Sequence, residues 1–317
     1  MAAGLLACAL GAAAAAPASG QPHGPAKGAH ARPRIDGDWR VNFILSMEAP
    51  PGTPQLVASE TEAPAVAAAV GKAMSAEFAA TLDPELPEMV LHSDGLPIVH
   101  GQRRTRAVVL PADGKLPYTA AGRKEATSAP PPESFDNVEN RSNAERCLVG
   151  DGQPPLSSFA LDSQIQIIAT RDQVMIHVEY GDDVRIVQMT DKHAPKTMWT
   201  RMGDSIGHWE GKTLVVETIG QPDADRDHIA PFLIVPGEAT VIERFTPVSD
   251  RELLYQFTVV DPKVYSAPWL GEFSWFRTTQ PMYEHACHEG NYSLANILAG
   301  ARHTEAVAKA AGGQAGH

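Results

Sequence analysis

The densest run of reactive side-chain types is Glu284-His285-Ala286-Cys287-His288-Glu289. Histidine titrates near neutral pH and burial can tune a carboxylate, so Glu284 and His285 are candidates for moving a proton. His285 and His288 share a face only on a helix; on a strand they point apart. A metal-dependent enzyme centred on these two histidines would need further protein ligands, and no second half of such a site stands out elsewhere in the sequence. Other candidates lie in alternating runs, where successive side chains take opposite faces. His177 and Glu179 share a face with Met175, Arg185 with Val187, and Glu217 with Val215. Glu243 shares one with Val241 and Phe245, and Arg277 with Phe273 and Trp275. Ionisable groups set among large apolar side chains are the usual make-up of a small-molecule pocket. The catalytic candidates are therefore His177, Glu179, Glu217, Glu284 and His285. The ligand-binding candidates are Arg185, Trp209, Glu243, Tyr255, Trp275 and Arg277, with an arginine orienting a carboxylate or polarising an oxygen. For each charged residue the plainer alternative is a solvent-facing or cross-strand-paired position, and alternation alone does not fix register.

A second segment, from Met202 to Gly211, carries Asp204, Ser205, His208, Trp209 and Glu210. These include the residue types of a hydrolase triad, but a triad must meet in space and Ser205 lacks the G-x-S-x-G elbow. The segment reads as a Gly-rich loop ending in a tight turn, with Gly211 supplying positive φ and Trp209 packed beneath it. No phosphate-cradling G-x-x-x-x-G-K run occurs, and no cofactor is implied. With 26 Lys and Arg against 38 Asp and Glu, the net charge is −12. That balance argues against a nucleic-acid partner, which needs a basic face.

The elements that must position these residues are mostly strands. From Gln164 to Cys287 the sequence shows short β-rich runs separated by turn signals: 164–170, 174–180, 184–189, 213–219, 239–248, 253–260, 270–280 and 282–287. No helix of crossover length separates them, so antiparallel hairpins are favoured over alternating β–α units. The expected fold is mainly β: an antiparallel up-and-down sheet, curved or closed as a lipocalin-like barrel, since closure removes exposed edges. An earlier strand is expected over 35–47. An Ala-rich helix is expected over 61–82, with Val66, Val70, Met74 and Phe78 at a spacing of four. A C-terminal helix is expected over 291–301, with Leu294, Ile297 and Leu298 on one face. Tyr265 and Trp269, in the Pro-bounded loop after the strand ending at Val260, are expected to anchor it on the barrel rim.

In domain terms, residues 1–20 are expected to be a secretory signal, being Ala- and Leu-rich and too short to span a bilayer. Residues 21–34 read as a flexible linker and 35–303 as one β-rich domain. Within that domain 83–160 is loop-rich decoration and 161–303 the barrel core. Residues 304–317 read as a disordered tail. Leu5-Leu6-Ala7-Cys8 is a weaker lipoprotein-like alternative. No transmembrane span is expected. Removing the leader leaves Cys147 and Cys287, and an exported protein with an even cysteine count points to a disulfide. Two buried thiols are the alternative.

Several separated motifs occur in one order: Arg146-Cys147-Leu148, Met202-Gly203-Asp204-Ser205, Trp209-Glu210-Gly211, Leu214 to Thr218, Asp261-Pro262, Pro268-Trp269, and Tyr283-Glu284 followed by Ala286 to Tyr292. Over roughly residues 145–301 the chain resembles a widespread family of uncharacterised exported bacterial proteins. The resemblance implies export and a β-rich core, and brings no established activity or catalytic residues. The expected function is an exported β-barrel that binds a small organic ligand in an apolar, ionisable-residue-lined cavity. It would act on that ligand, if at all, by acid/base chemistry of the isomerase, lyase or hydrolase type. The rivals are a non-enzymatic envelope interaction protein and the metal-dependent enzyme centred on His285 and His288.

Overall fold

Alternation sorts the strand residues into two faces before any strand finds a partner. A computed structural model of the chain describes residues 34–41, 45–70, 72, 96–126, 135–141, 145–148, 152–156, 164–222, 235 and 237–314. The expected signal, all but Arg34 of the linker, and the Ala-rich stretch after residue 72 lie outside the described residues. So does most of 83–95 and 127–163.

Five strands come first: β1 (Gly37–Arg40), β2 (Val57–Ala58), β3 (Ile98–Val99), β4 (Gln102–Arg104) and β5 (Val108–Leu110). Eight longer ones follow: β6 (Gln164–Ala169), β7 (Gln173–Val178), β8 (Asp183–Gln188), β9 (Asp204–Glu210), β10 (Thr213–Ile219), β11 (Thr240–Pro247), β12 (Glu252–Val260) and β13 (Trp269–Arg277). Strands β6 to β13 pair in chain order. The short β1 closes the circle, with Trp39 opposite both Ile165 of β6 and Arg277 of β13. The result is a closed barrel of nine strands. Strand β5 pairs onto β13 as an additional neighbour, and β2, β4 and β3 form a small separate sheet.

One seam departs from the expected up-and-down order. Strands β8 and β9 are parallel and meet only at Val187 with Ser205 and Gln188 with Ile206. The chain between them, 189–203, carries Pro195 and a short 3-10 turn at Lys196–Met198, and it returns along the barrel before β9 begins. Residues 202–211 therefore do not form a loop: most of them are strand β9. Its inward positions are Ser205, Gly207 and Trp209, and the Gly content that suggested a loop is a packing requirement. A Cβ on Gly207 would stand 2.8 Å from Cγ1 of Val187 and 3.4 Å from Sδ of Met189. The expected turn follows, with Gly211 at φ 60°.

The inward residues form one continuous core. Ile165, Ile167, Val174, Ile176, Val178, Val187, Leu214, Val216, Val241, Phe245, Leu253, Tyr255, Phe257, Phe273 and Trp275 are all buried within it. Aromatic rings dominate on β11 to β13. Tyr255 lies 5.0 Å from Phe245, 5.4 Å from Phe257 and 5.1 Å from Phe273 between ring centroids, and Phe273 lies 5.5 Å from Trp275. The loop after β12 is anchored as expected: Tyr265 and Trp269 are buried in edge contact, and Tyr118 stacks on Tyr265.

The decoration forms an outer layer on β12 and β13. Arg104 of β4 and Gln256 of β12 both donate to Glu272 of β13. The buried Arg106 donates to the carbonyls of Val108, Pro54 and Ala112 and so fixes two loops at once. Helix α1, over 63–70, starts at a reciprocal cap in which Ser59 and Glu62 bond each other's backbone N–H. The helix α2 (Ala120–Ala126) sets Gly122 against the Val264 carbonyl, with no room for a methyl.

At the C-terminus, a short helix α3 (Cys287–Gly290) leads into α4 (Tyr292–Gln314). The segment expected as a disordered tail is thus helical to Gln314. It contains no proline and is rich in alanine, the best helix former, and Arg302 pairs with Glu305 one turn on. The β run expected over 282–287 is not a strand; residues 278–286 lie along the outer wall, where Gln280 accepts a bond from Gln164.

Candidate functional site

Five strands deliver polar groups into the apolar interior. Arg185 on β8 and Glu243 on β11 point inward by alternation and meet across the barrel. Nη2 of Arg185 donates to Oε1 of Glu243 at 2.8 Å and Nη1 donates to Oε2. The pair is bidentate, and both side chains are at most 1% exposed. Tyr255 on β12 donates its hydroxyl to Glu243 Oε1 at 2.8 Å. Thr218 on β10 accepts from Arg185 Nη1 and shares a hydrogen bond of 2.7 Å with Ser205 on β9. Burial works against the Arg185 charge, but the Glu243 carboxylate more than offsets it, so the guanidinium is held charged.

The network reaches the parallel β8–β9 seam of the barrel. Segment 152–156 sits where β8 and β9 are not paired. The Gly152 N–H donates to Asp183 Oδ2 at 3.2 Å, and a Cβ on Gly152 would stand 2.6 Å from that of Asp183. Gln153 donates to the Arg201 carbonyl, and the Leu156 N–H donates to the Tyr255 hydroxyl at 2.7 Å. Gln153 and Leu156 are fully buried. At the end of β13, Arg277 lies 4.2 Å over the Trp39 ring and donates to the Asp250 and Asp36 carbonyls.

Among the described residues, two donors beside this network and its rings stay unmatched. Arg185 Nε and Trp275 Nε1 are buried and have no hydrogen-bond partner. At the rim, Trp269 Nε1, Asp261 Oδ2 and the Gln221 amide are likewise unpaired. A buried donor without an acceptor costs about 1–3 kcal/mol, so each such group calls for an occupant, whether water or ligand.

The sequence candidates divide by face. Arg185, Glu243, Tyr255 and Trp275 come together inside. Trp209 is half-buried against the same core, and Arg277 stands exposed at the end of β13. The proton-transfer candidates lie on the outer wall. His177 Nε2 is 2.6 Å from Asp182 Oδ1. The carboxylate of Glu179 accepts the Tyr283 N–H, and the His285 ring lies 4.8 Å from that of Tyr180, so Glu179 and His285 share one region, with Glu284 exposed beside them. Glu217 stands apart, its Oε1 3.0 Å from His193 Nε2, while His193 Nδ1 is 2.7 Å from Asp204 Oδ2. The His193 ring thus bridges the two carboxylates and ties 189–203 to β9 and β10.

Cys147 and Cys287 form a disulfide, with Cα atoms 5.7 Å apart. The Cys287 thiol is therefore spent as a metal ligand. Among the described residues no three His, Cys, Asp or Glu side chains gather as a metal site, and no helix is long and apolar enough to cross a membrane.

Sequence reasoning missed Thr218, Ser205 as an interior group, Leu156 and His193. Thr218 was accessible, since it alternates with Leu214 and Val216. Leu156 and His193 sit in irregular chain, where no periodicity marks a face. Comparison with protein-family models, curated proteins and solved structures finds no match for this chain.

The tyrosine gives a pH prediction. Burial, and next the Glu243 charge, push the Tyr255 hydroxyl well above its ordinary value of 10.0. The unfolded chain releases that proton near pH 10 and the folded chain does not. Its contribution to stability is thus whole below pH 10 and declines above it, by about 1.4 kcal/mol per pH unit. Urea unfolding between pH 9 and 11 should show this extra decline in the native protein and not in Tyr255→Phe. Equal slopes in the two would mean that Tyr255 ionises in the folded state.

Proposed function

We propose that the protein is an exported small-molecule-binding barrel whose ligand sits inside the wall, between the ring cluster of β11 to β13 and the Arg185–Glu243–Tyr255 network. The observation that carries this reading is the pair of unmatched interior donors, Arg185 Nε and Trp275 Nε1. A core built only for stability would use apolar groups at both places or would pair them. Segment 152–156 is the natural way in. It fills the unpaired length of the β8–β9 seam, and its Leu156 N–H ends on the same network. The disulfide supports an oxidising compartment, and the motif likeness to exported proteins points the same way. Among the described residues no histidine lies in the interior, and the hydroxyl of Tyr255 is held protonated, which favours binding over turnover.

A thermal-shift screen of metabolites, read together with the emission of the buried Trp39, Trp269 and Trp275, tests the reading. A ligand should raise the midpoint and shift tryptophan emission. The reading falls if no compound does either and if a high-resolution crystal structure shows ordered water on both free donors.

One observation favours the envelope-interaction alternative. Ile168 and Ile186 are exposed on the outer face with Met175 between them in register, and Val184 lies nearby. Of Trp269, Trp275 and Tyr283, which that alternative would expose, the two tryptophans are core residues and Tyr283 is exposed.

A further inference from the structure

We infer that the ligand is an uncharged molecule with a hydrogen-bond-accepting oxygen on a flat apolar body, an inference that rests on the binding reading above. The interior is electrically closed. Arg185 and Glu243 cancel each other in a bidentate pair, so a further ion brought inside would be buried without a counter-charge, which is costly. A carboxylate ligand would also compete with Glu243 for the guanidinium and leave one of the two anions unpaired.

The hydrogen-bond inventory then fixes polarity. Among the described residues, each side-chain acceptor of the Arg185–Glu243–Tyr255 network is in use. Glu243 Oε1 accepts from Arg185 Nη2 and Tyr255, and Oε2 accepts from Nη1. The Tyr255 oxygen accepts the Leu156 N–H, and the Ser205 and Thr218 hydroxyls bond each other. What remains is the Nε–H of Arg185 and the indole N–H of Trp275, both donors. The unpaired acceptors, on Asp261 and Gln221, lie in the chain that follows β12 and β10, at the rim. A carbonyl or ether oxygen satisfies either of these donors, whereas an amine brings a further donor. The body of the ligand follows from the rings beside Trp275: Phe273 and Tyr255 form a run of tilted and edge contacts suited to a planar partner.

Four probes of one size separate these terms: acetophenone (uncharged, carbonyl), ethylbenzene (the same shape without oxygen), benzoate and benzylammonium. Calorimetric titration should give acetophenone an advantage of about tenfold over ethylbenzene, the worth of one good buried hydrogen bond, and a larger one over both ions. In the native protein the indole N–H resonance of Trp275 should move with acetophenone and stay still with ethylbenzene. In Trp275→Phe, whose fold is checked by circular dichroism, the advantage over ethylbenzene should shrink several-fold with ethylbenzene affinity unchanged. Stronger binding of benzoate or benzylammonium, or no advantage for the oxygen, overturns this inference and leaves the binding reading intact. The same holds if none of the four binds while the metabolite screen finds a ligand of another class. Silence in both experiments brings down the binding reading itself, and this inference with it.

Discussion

Glu243→Gln is expected to destabilise the fold by about 3–5 kcal/mol, because it leaves the Arg185 guanidinium buried and charged without its anion. The size of the effect follows from the geometry. Arg185 is 1% exposed and cannot swing to water, and its other partner is the neutral Thr218 hydroxyl at 3.4 Å. An arginine does not escape by losing its proton either. The double replacement Arg185→Met with Glu243→Leu should behave differently. It removes both charges and keeps roughly the same volume, so stability should return to within about 1–2 kcal/mol of the native protein or exceed it. Urea unfolding of the two singles and the double gives the coupling energy directly. If Glu243→Gln costs less than about 1 kcal/mol, the barrel interior is wet enough to solvate Arg185, and the argument from unpaired donors loses its force. If the double variant is stable but no longer binds the ligand, the ion pair is kept for function at a cost in stability.

How far the sequence led can be judged from these same residues. Period-two alternation placed Glu243 with Val241 and Phe245, Arg185 with Val187, and Arg277 with Phe273 and Trp275, and each of those faces is the inner one. It placed His177 and Glu217 correctly with Met175 and Val215, on what proves to be the outer face. What alternation lacks is the sign of each face, which is set by long-range pairing. The β7 strand shows why. Its apolar set Val174, Ile176 and Val178 outweighs Met175 and His177, and the core takes the more apolar face. The parallel seam was hidden for a related reason. Ser205 and Gly207 are small because Val187, Met189 and Thr218 crowd them, and small residues in sequence resemble a turn. Segment 152–156 had no period at all. Its role depends on a gap between two strands distant from it in the chain.

The second large effect belongs to the disulfide. Cys147 and Cys287 are separated by 140 residues, a span that contains the whole barrel except β1. In the chain-entropy model, closing a loop of that length restricts the unfolded state by about 5 kcal/mol, and measured losses for native bridges run about 2–5 kcal/mol. The double variant Cys147→Ser, Cys287→Ser should therefore melt roughly 3–9 °C lower. The bridge also acts locally. It fastens residues 145–148 to α3, where the Asn291 amide also donates to the Glu145 carbonyl, and Arg201 holds the Leu148 carbonyl. Only a short stretch separates that anchor from Gly152. Loss of the bridge should accordingly raise hydrogen exchange at the Leu156 amide, whose acceptor is the Tyr255 hydroxyl, more than at amides of β12 and β13. A global entropic effect predicts a uniform rise in exchange through global unfolding, so the ratio of Leu156 to β12 protection separates the two. If that ratio stays at its native value while the melting point falls, the bridge stabilises the chain without guarding the seam, and 152–156 is held by its own contacts alone.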